Sequence, residues 1–212
     1  MKTLLLSMRV SEAESYYEDR NSIAFDYIDF FEKLGFLIYL IPNNSINLNE
    51  YLKLDVDLIV LSGGNNLDPS LYKSDFRTPD VYPNRDATEY KLLNFALQNH
   101  VKVLGICRGL HLINVYFTGQ LSHNIANHVN KNHTLISKNK LLNGTKVNSF
   151  HNHCVTQQNL SEQMIPIAKT EDGAVECAIH RNKCILGIQW HPERQESEND
   201  KEFISLFLRG EL

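Results

Sequence analysis

The chain has 212 residues, of which 42% are hydrophobic and 22% are charged, a composition typical of a globular protein that can bury a substantial core. The net charge of −4 argues against a broad nucleic-acid-binding surface, and no apolar run reaches the roughly 20 residues of a membrane-spanning helix. Four cysteines are too few for a disulfide framework at this length, so a reduced, cytoplasmic setting is expected.

The chain opens on an apolar run, Thr3 to Met8, that predicts a buried strand. The run is too short for the apolar part of a secretory signal, and Arg9 interrupts it. Residues 11–22 are polar and are predicted to form a loop. The spacing of apolar residues then predicts a helix from about Ile23 to Leu34, followed by a second strand, Phe36–Ile41.

The middle of the chain continues this alternation of strands and helices. Asp57–Leu61 is a continuous apolar run, as in a parallel strand covered on both faces. A long loop is predicted over 68–83, then a helix over Thr88–Gln98. Val101–Ile106 reads as another buried strand and Gly109–Phe117 as another helix. The pattern predicts an α/β fold with a doubly wound parallel sheet, whose ligands bind beyond the carboxyl ends of the strands.

From about Leu121 onward, the sequence consists of shorter strand-like and turn-like stretches. Residues 141–150, 174–180 and 184–190 are predicted to form an antiparallel extension of the same domain. There is no internal repeat and no linker-like segment. The chain is therefore expected to form a single domain over residues 1–212.

A cysteine between two glycines stands where a buried strand runs directly into a helix. Gly105, Cys107 and Gly109 form the cysteine version of the nucleophile elbow of hydrolases. The start of a helix favours a thiolate, because free N–H groups and the helix dipole stabilise negative charge. The backbone N–H of Arg108 can also point at a developing oxyanion. A buried structural cysteine is the alternative explanation of this motif alone.

A histidine and a glutamate follow a second apolar strand. His191 and Glu193 are two residues apart, so in an extended chain their side chains point the same way. The carboxylate can then hold the imidazole in one tautomer, and Pro192 stiffens the connection. Taken alone, the pair also fits an ordinary exposed strand end. Because both motifs end apolar strands, they are expected to meet at one edge of the sheet.

A glycine pair follows the strand that ends at Leu61. Gly63 and Gly64 lack side chains, so a backbone N–H there can approach a substrate oxygen. Gly64 N–H is predicted to be the second oxyanion donor, although an ordinary turn would have the same sequence.

The order of these motifs resembles that of class I glutamine amidotransferases. More narrowly, SGG, GICRG and WHPE resemble the γ-glutamyl-γ-aminobutyrate hydrolase-like branch, peptidase C26, and stretches such as NRDATEYKLLNFAL and NSFHNH extend the likeness over most of the chain. The resemblance implies a flavodoxin-like three-layer sandwich with a mostly parallel central sheet. It also implies cleavage of a γ-glutamyl amide by a Cys-His-Glu triad, with no cofactor.

The resemblance assigns roles to individual residues. Cys107 is the expected nucleophile, His191 and Glu193 complete the triad, and the amides of Gly64 and Arg108 form the oxyanion hole. The other substrate contacts that it implies are Gly63, His111, Ser149, Phe150 and His151. Many relatives have glutamine at the position of His111, which leaves its role open.

Three further stretches resemble a subgroup linked to capsule phosphoramidate synthesis. They are SYYEDRNSIAFDYIDFFEKLGF, NHVNKNH and HPER. The resemblance implies a nucleotide-linked small-molecule substrate, γ-glutamyl-CDP-amidate, cleaved to glutamate and cytidine diphosphoramidate. The arginines expected to meet its diphosphate are Arg20, Arg85, Arg108 and Arg194. An ordinary ion pair is the alternative for each of them.

Two other functions share much of this pattern. One is a glutaminase subunit that supplies ammonia to a separate synthase, although no obligatory synthase partner is expected here. The other is a protein that binds a glutamyl ligand without cleaving it. Hydrolysis of γ-glutamyl-γ-aminobutyrate or another γ-glutamyl amine also stays open.

Several histidines raise the question of a metal site. His151, His153 and Cys154 are close in sequence, and His128 and His133 precede them. Their spacing matches none of the usual zinc-ligand patterns. The sequence therefore predicts no metal.

Overall fold

The computed structural model describes residues 1–182 and 184–212. In chain order, its strands are β1 (Lys2–Ser7), β2 (Arg9–Glu12), β3 (Asp19–Ser22), β4 (Phe36–Ile41), β5 (Leu58–Leu61), β6 (Lys102–Ile106), β7 (Val129–Thr134), β8 (Ile136–Ser137), β9 (Lys146–Phe150), β10 (Met164–Lys169), β11 (Val175–His180) and β12 (Ile185–Ile188). The α-helices are α1 (Phe25–Lys33), α2 (Leu48–Tyr51), α3 (Pro83–Asn99), α4 (Arg108–Tyr116) and α5 (Glu198–Arg209), and a short 3-10 helix covers Pro69–Tyr72.

The central sheet has the strand order β4-β1-β5-β6-β12-β11-β10-β8. Its first five strands are parallel, and the last three add an antiparallel edge. This confirms the α/β fold with a mostly parallel central sheet. The expected antiparallel extension is right only for residues 174–180, which contain β11, and its outer neighbours β10 and β8 were not predicted. The strand within 184–190 is parallel to β6, and β9 pairs with β7 in a separate two-stranded sheet.

Helices cover both faces of the central sheet, because neighbouring side chains of its buried strands point to opposite sides. Leu4 and Leu6 of β1 belong to a core that includes the aromatic side chains of α1 and α5. Leu5, between them, belongs to a second core with the apolar residues of α3 and α4. All three leucines are fully buried. The result is the three-layer arrangement that the sequence predicted.

The predicted loop over 11–22 is wrong in one respect, since most of it is a β-hairpin formed by β2 and β3. Of these two strands only Val10 is buried, so the apolar alternation that marks a strand is missing. The hairpin is tied to the loop after β5 instead. Asn65 accepts a hydrogen bond from Val10 N–H and donates one to its carbonyl oxygen, at 2.9 and 3.0 Å.

Helix α3 begins at Pro83, earlier than the predicted start at Thr88. Its first turns carry buried charged residues, which hide the apolar helical pattern, although proline at the first helical position is a recognised start signal. α3 has 17 residues.

Across residues 1–182 and 184–212, no helix combines the length and the apolar character needed to cross a bilayer.

The carboxyl ends of three neighbouring strands lie side by side. Leu61 of β5 pairs with Gly105 of β6, which pairs with Gly187 of β12. The residues that follow these strands must therefore emerge along one edge of the sheet. They are the three segments in which the sequence placed its candidate catalytic groups.

Candidate active site

Cys107 occupies a strained backbone position between β6 and α4. Its φ and ψ are 54° and −103°, in a region that side chains other than glycine rarely adopt. A hydrogen bond from Cys107 N–H to the carbonyl oxygen of Ile188, at 2.7 Å, fixes the turn from the β12 side. The thiol therefore stands at the carboxyl edge of the sheet and at the N-terminus of α4.

The glycines on either side of this cysteine serve close packing. A Cβ on Gly109 would lie 2.3 Å from the carbonyl oxygen of Leu61, and a Cβ on Gly105 would lie 2.6 Å from the carbonyl carbon of Gly109. No side chain fits at those distances. Because neither glycine has positive φ, the strain of the turn falls on the cysteine itself.

His191 and Glu193 form a buried pair beyond the end of β12. Nδ1 of the imidazole lies 2.6 Å from a carboxylate oxygen of Glu193, and both residues are less than 5% exposed. Asn148 of β9 holds the main chain of His191 through two hydrogen bonds, of 2.7 and 2.8 Å. The role of Asn148 could not be predicted from the sequence, because it depends on a contact between segments 43 residues apart.

The thiol and the imidazole shift each other's protonation. Burial opposes ionisation of Cys107, but the charge of His191 and a hydrogen bond with it outweigh burial and lower the pKa of the thiol. Burial likewise disfavours the imidazolium. The charge of Cys107 and hydrogen bonds with Cys107 and Glu193 outweigh that effect and raise the pKa of His191 to about 9. This arrangement favours a thiolate beside an imidazolium near neutral pH.

We expect the rate of Cys107 alkylation by iodoacetamide to reflect this pair. The rate should rise with pH through a midpoint below 9, the ordinary value for the thiol, because the thiolate is the reactive form. Hydrolytic activity should fall again as pH passes about 9, where His191 loses its proton. Both midpoints belong to the coupled pair. The unfolded chain is the control, and an alkylation midpoint as high as in that control would contradict a lowered thiol pKa.

The glycine pair after β5 lies against both groups. Gly63 N–H donates to the Tyr27 hydroxyl at 2.9 Å, and a Cβ on Gly63 would lie 2.7 Å from Cε1 of His191. Gly63 is therefore needed for close approach rather than as a free donor. By contrast, the N–H groups of Gly64 and Arg108 make no hydrogen bond within the described part of the chain. Both residues border the cavity beside Cys107.

The assignment of Arg85 to a substrate phosphate is wrong. The side chain is fully buried and donates to the carbonyl oxygens of Ser62, Gly63 and Gly64 and to the carboxylate of Glu89. These bonds leave it unable to reach a ligand. Arg85 holds the loop after β5 in shape, and so positions the Gly64 N–H.

The side chain of Arg108 is also unavailable to a phosphate. It is 2% exposed and pairs with Asp86 and Glu89 of α3. Removing one partner of such a buried pair costs about 3–5 kcal/mol, so these contacts serve the fold. Arg85 and Glu89 are four residues apart, the spacing of an ion pair on one face of a helix, but the predicted helix began only at Thr88.

A cavity of about 230 Å³ opens beside the thiol. Its lining residues are Arg9, Gly64, Asn65, Asn66, Asp80, Cys107, Arg108, His111, Phe150, His151, Asn152, His153, His191 and Arg194. The structure thus brings the predicted contacts His111, Phe150, His151 and Arg194 to one place. Arg9, Asn65, Asn66, Asp80, Asn152 and His153 were not expected there.

Besides Gly63 and Arg85, two more predicted contacts are not among the residues that line this cavity. Ser149 is 1% exposed, and its hydroxyl donates to the carbonyl oxygen of His128 at 2.5 Å. Arg20 lies on the exposed hairpin, paired with Glu18 and bonded to the Tyr16 hydroxyl. It borders a separate surface cavity. Neither side chain is placed to contact a ligand beside the thiol.

His111 acts on the thiol through a glutamine. Its Nε2 lies 2.8 Å from the Oε1 of Gln189, whose amide nitrogen donates to the sulfur of Cys107 at 3.6 Å. Burial lowers the pKa of His111 to about 3, so the ring is neutral and can donate to the amide oxygen. His111 thereby orients the amide of Gln189 toward the sulfur, a role that the sequence left open.

Besides Arg108, the arginines that line the cavity are Arg9 and Arg194. The guanidinium of Arg194 stacks on the exposed ring of Phe150, 4.5 Å from its centroid. The guanidinium of Arg9 lies against Gly64, and its Nε has no hydrogen-bond partner among residues 1–182 and 184–212. A substrate that carries anionic groups could therefore be held by either arginine beside the thiol.

Comparison with known proteins identifies the family to which this chain belongs. The family model for peptidase C26 matches residues 4–193. The chain is 31% identical over 207 residues to the gamma-glutamyl-CDP-amidate hydrolase of Campylobacter jejuni, covering 95% of this chain and 96% of that protein. It is 27% identical over 179 residues to the gamma-glutamyl-gamma-aminobutyrate hydrolase of Escherichia coli O157:H7, with 72% and 70% covered.

A solved structure confirms the fold. The crystal structure of a glutamine amidotransferase from Thermotoga maritima superposes with a TM-score of 0.62 at 14% identity, over 99% of this chain and 95% of that one. At that identity the likeness concerns architecture alone. Taken with the sequence matches, it shows that this chain belongs to the peptidase C26 family, among the class I glutamine amidotransferase-like proteins and γ-glutamyl amide hydrolases.

Proposed function

We propose that this chain is a cysteine-dependent hydrolase of γ-glutamyl-CDP-amidate, which it cleaves to glutamate and cytidine diphosphoramidate. The observation that carries the proposal is the meeting of a strained thiol, a paired imidazole and two free backbone N–H groups beside one cavity. The relative from Campylobacter jejuni, which matches along nearly the whole chain, supports the choice of substrate.

In the first half of the reaction, the thiolate of Cys107 attacks the γ-carbonyl carbon of the glutamyl amide. The oxyanion of the tetrahedral intermediate accepts hydrogen bonds from the N–H groups of Gly64 and Arg108. His191 then donates its proton to the leaving nitrogen. The C–N bond breaks, and the glutamyl group stays on the sulfur as a thioester.

In the second half, water hydrolyses the thioester. Neutral His191 takes a proton from the water, which attacks the carbonyl carbon, and the same two N–H groups hold the second oxyanion. Collapse of this intermediate releases glutamate and returns the thiolate beside the imidazolium. Glu193 keeps Nδ1 of the ring engaged throughout, so that Nε2 serves the chemistry.

The arginines at the cavity favour a substrate with a diphosphate. Arg9 and Arg194 line the same cavity as Cys107, and guanidinium groups pair well with phosphate oxygens. We assign the phosphate contacts to these two arginines because the side chains of Arg85 and Arg108 are held in buried ion pairs with Glu89. With this substrate the amide nitrogen leaves on the nucleotide. The proposed reaction therefore needs no synthase partner to receive ammonia.

The test is to compare glutamate release by the purified chain from γ-glutamyl-CDP-amidate, glutamine and γ-glutamyl-γ-aminobutyrate. We expect the highest kcat/KM for the nucleotide-linked substrate. A preference for γ-glutamyl-γ-aminobutyrate would overturn the substrate. Slow hydrolysis of glutamine alone would indicate an ammonia-donating subunit. Binding without cleavage of any substrate would indicate a ligand-binding protein.

The same assay in variants tests the role of the arginines. Arg9→Met and Arg194→Met should each lower kcat/KM for the nucleotide-linked substrate by about 10- to 100-fold, the usual effect of a charged hydrogen bond. They should affect γ-glutamyl-γ-aminobutyrate much less. Arg20→Met, on the exposed hairpin, is the matched control and should leave both rates unchanged. Equal losses on both substrates would argue against diphosphate contacts.

A further inference from the structure

Beyond the reactive thiol, three histidines and a glutamate converge between the two-stranded sheet and the central sheet. His128 precedes β7, His133 lies on β7, His151 follows β9, and Glu176 lies on β11. One side-chain nitrogen or oxygen from each of these residues lies within 4.8 Å of those of the other three. The group is thus drawn from distant segments of the chain.

Among the described residues the converging atoms make no hydrogen bond, although Nε2 of His151 lies 3.6 Å from Oε1 of Glu176. The Nδ1 of His128, the Nε2 of His133 and of His151, and both carboxylate oxygens of Glu176 are buried without a hydrogen bond in the described part of the chain. His128, His151 and Glu176 are each less than 5% exposed. A buried carboxylate with no hydrogen bond is destabilising unless a cation compensates it, and here that cation is either a protonated His151 or a bound metal ion.

The opposite nitrogens of two of the rings are held in place. The Nε2 of His128 lies 2.7 Å from a carboxylate oxygen of Asp172, and the Nδ1 of His151 lies 2.8 Å from the carbonyl oxygen of His153. If each of these nitrogens carries the ring proton, the other nitrogen presents a lone pair to the cluster. Carboxylate and carbonyl partners of this kind commonly orient metal-binding histidines.

We propose that His128, His133, His151 and Glu176 bind a divalent metal ion of the zinc type. Three imidazoles and one carboxylate form a four-coordinate donor set that suits Zn²⁺. On a tetrahedral ion with bonds of about 2.0–2.1 Å, two ligand atoms lie about 3.3 Å apart. The observed separation of 3.6 Å between Nε2 of His151 and Oε1 of Glu176 is close to that value.

This proposal departs from the expectation that no metal binds, which was drawn from the sequence spacing alone. The sequence spacing gave no zinc pattern, because the ligands come from two different sheets and only the fold brings them together. Four protein ligands leave no open coordination position, as in structural zinc sites. The ion would therefore support the fold and would not itself carry out the hydrolysis.

The position of the proposed metal site suits it to support one wall of the cavity beside the thiol. It joins β7 and the end of β9 to β11 of the central sheet, and one of its ligands, His151, borders the cavity beside the thiol. The ring of Phe150, next to that ligand, lies against the guanidinium of Arg194 and the imidazole of His191. A bound ion would hold this wall of the cavity in position.

The metal content of the purified, tag-free protein tests the proposal. We expect about one zinc per chain by elemental analysis, and substantially less in His133→Ala and Glu176→Gln. His123→Ala is the matched control, since this partly buried histidine also has unpartnered ring nitrogens but lies outside the cluster. It should retain the ion. His133 is itself partly exposed, so its replacement is expected to leave the fold intact.

A second measurement separates this site from the thiol. Apo-protein carrying Cys107→Ala should take up cobalt(II) and show the visible absorption of a four-coordinate ion, without a sulfur charge-transfer band. Chelation of the ion should lower the Tm of the wild type and of His123→Ala, because an ion bound only by the native state stabilises it. Failure to bind zinc or cobalt at micromolar concentration overturns the site. Equal metal content in all variants would also overturn it.

Discussion

Cys107→Ala is expected to abolish hydrolysis, with a loss in kcat of about 10⁴-fold or more, as for removal of a covalent nucleophile in other hydrolases. Without the sulfur no thioester forms, and the two backbone donors and the imidazole have no covalent intermediate to act on. Initial rates of glutamate release measure the effect. Cys107 is buried, so the variant's thermal unfolding must be compared with that of the wild type to show that the fold survives.

The chain offers a matched control for this substitution. Cys184 is partly exposed and is not part of the cavity lining, so Cys184→Ala should keep the wild-type rate. Mass spectrometry of wild-type protein quenched during turnover should show a glutamyl adduct on the peptide that contains Cys107. Near-normal hydrolysis by Cys107→Ala would refute the covalent mechanism.

Local sequence patterns were sufficient to predict β1, β4, β5 and β6 of the central sheet and the three candidate segments. Buried strands such as Leu58–Leu61 carry continuous apolar runs, and the glycines around Cys107 mark a strand that packs closely on the next helix. Since parallel strands in register end at one edge, three local motifs were enough to predict that the thiol, His191 and Gly64 lie near one another.

What the sequence did not reveal depends on contacts between distant residues. Arg85 precedes the predicted helix and was expected to meet a phosphate, yet it is buried on α3 and supports the loop after β5. Asn148 and Gln189 belong to no recognisable motif. Asn148 nevertheless holds the main chain of His191, and Gln189 contacts the sulfur of Cys107.

The polar hairpin and the metal cluster were missed for a related reason. The β2–β3 hairpin has one buried residue, Val10, so its strands have no apolar alternation. In the metal cluster, the ligands lie on segments far apart in the chain, and the spacing rules for zinc sites apply only to ligands grouped in short motifs. Both features become visible only when the fold brings their residues together.

Replacing His191 should cost far more activity than replacing Glu193. His191→Ala removes the group that shares a proton with the thiol and protonates the leaving nitrogen, so a loss in kcat of about 10⁴-fold or more is expected. Glu193→Ala leaves that group in place. Asn148 still holds the main chain of His191, and the close contact with Gly63 still confines the ring. We therefore expect a loss about 10²-fold smaller for Glu193→Ala.

The pH dependence of kcat/KM separates orientation by Glu193 from proton transfer by His191. The hydrogen bond and the charge of Glu193 both raise the pKa of His191, so Glu193→Ala should move the upper pH limit of activity down from about 9. His191→Ala should remove that limit, because no imidazolium is left to lose its proton. Equal losses in kcat for the two variants, with an unchanged upper limit in Glu193→Ala, would contradict this division of roles. In that case the carboxylate would have to take part in proton transfer itself.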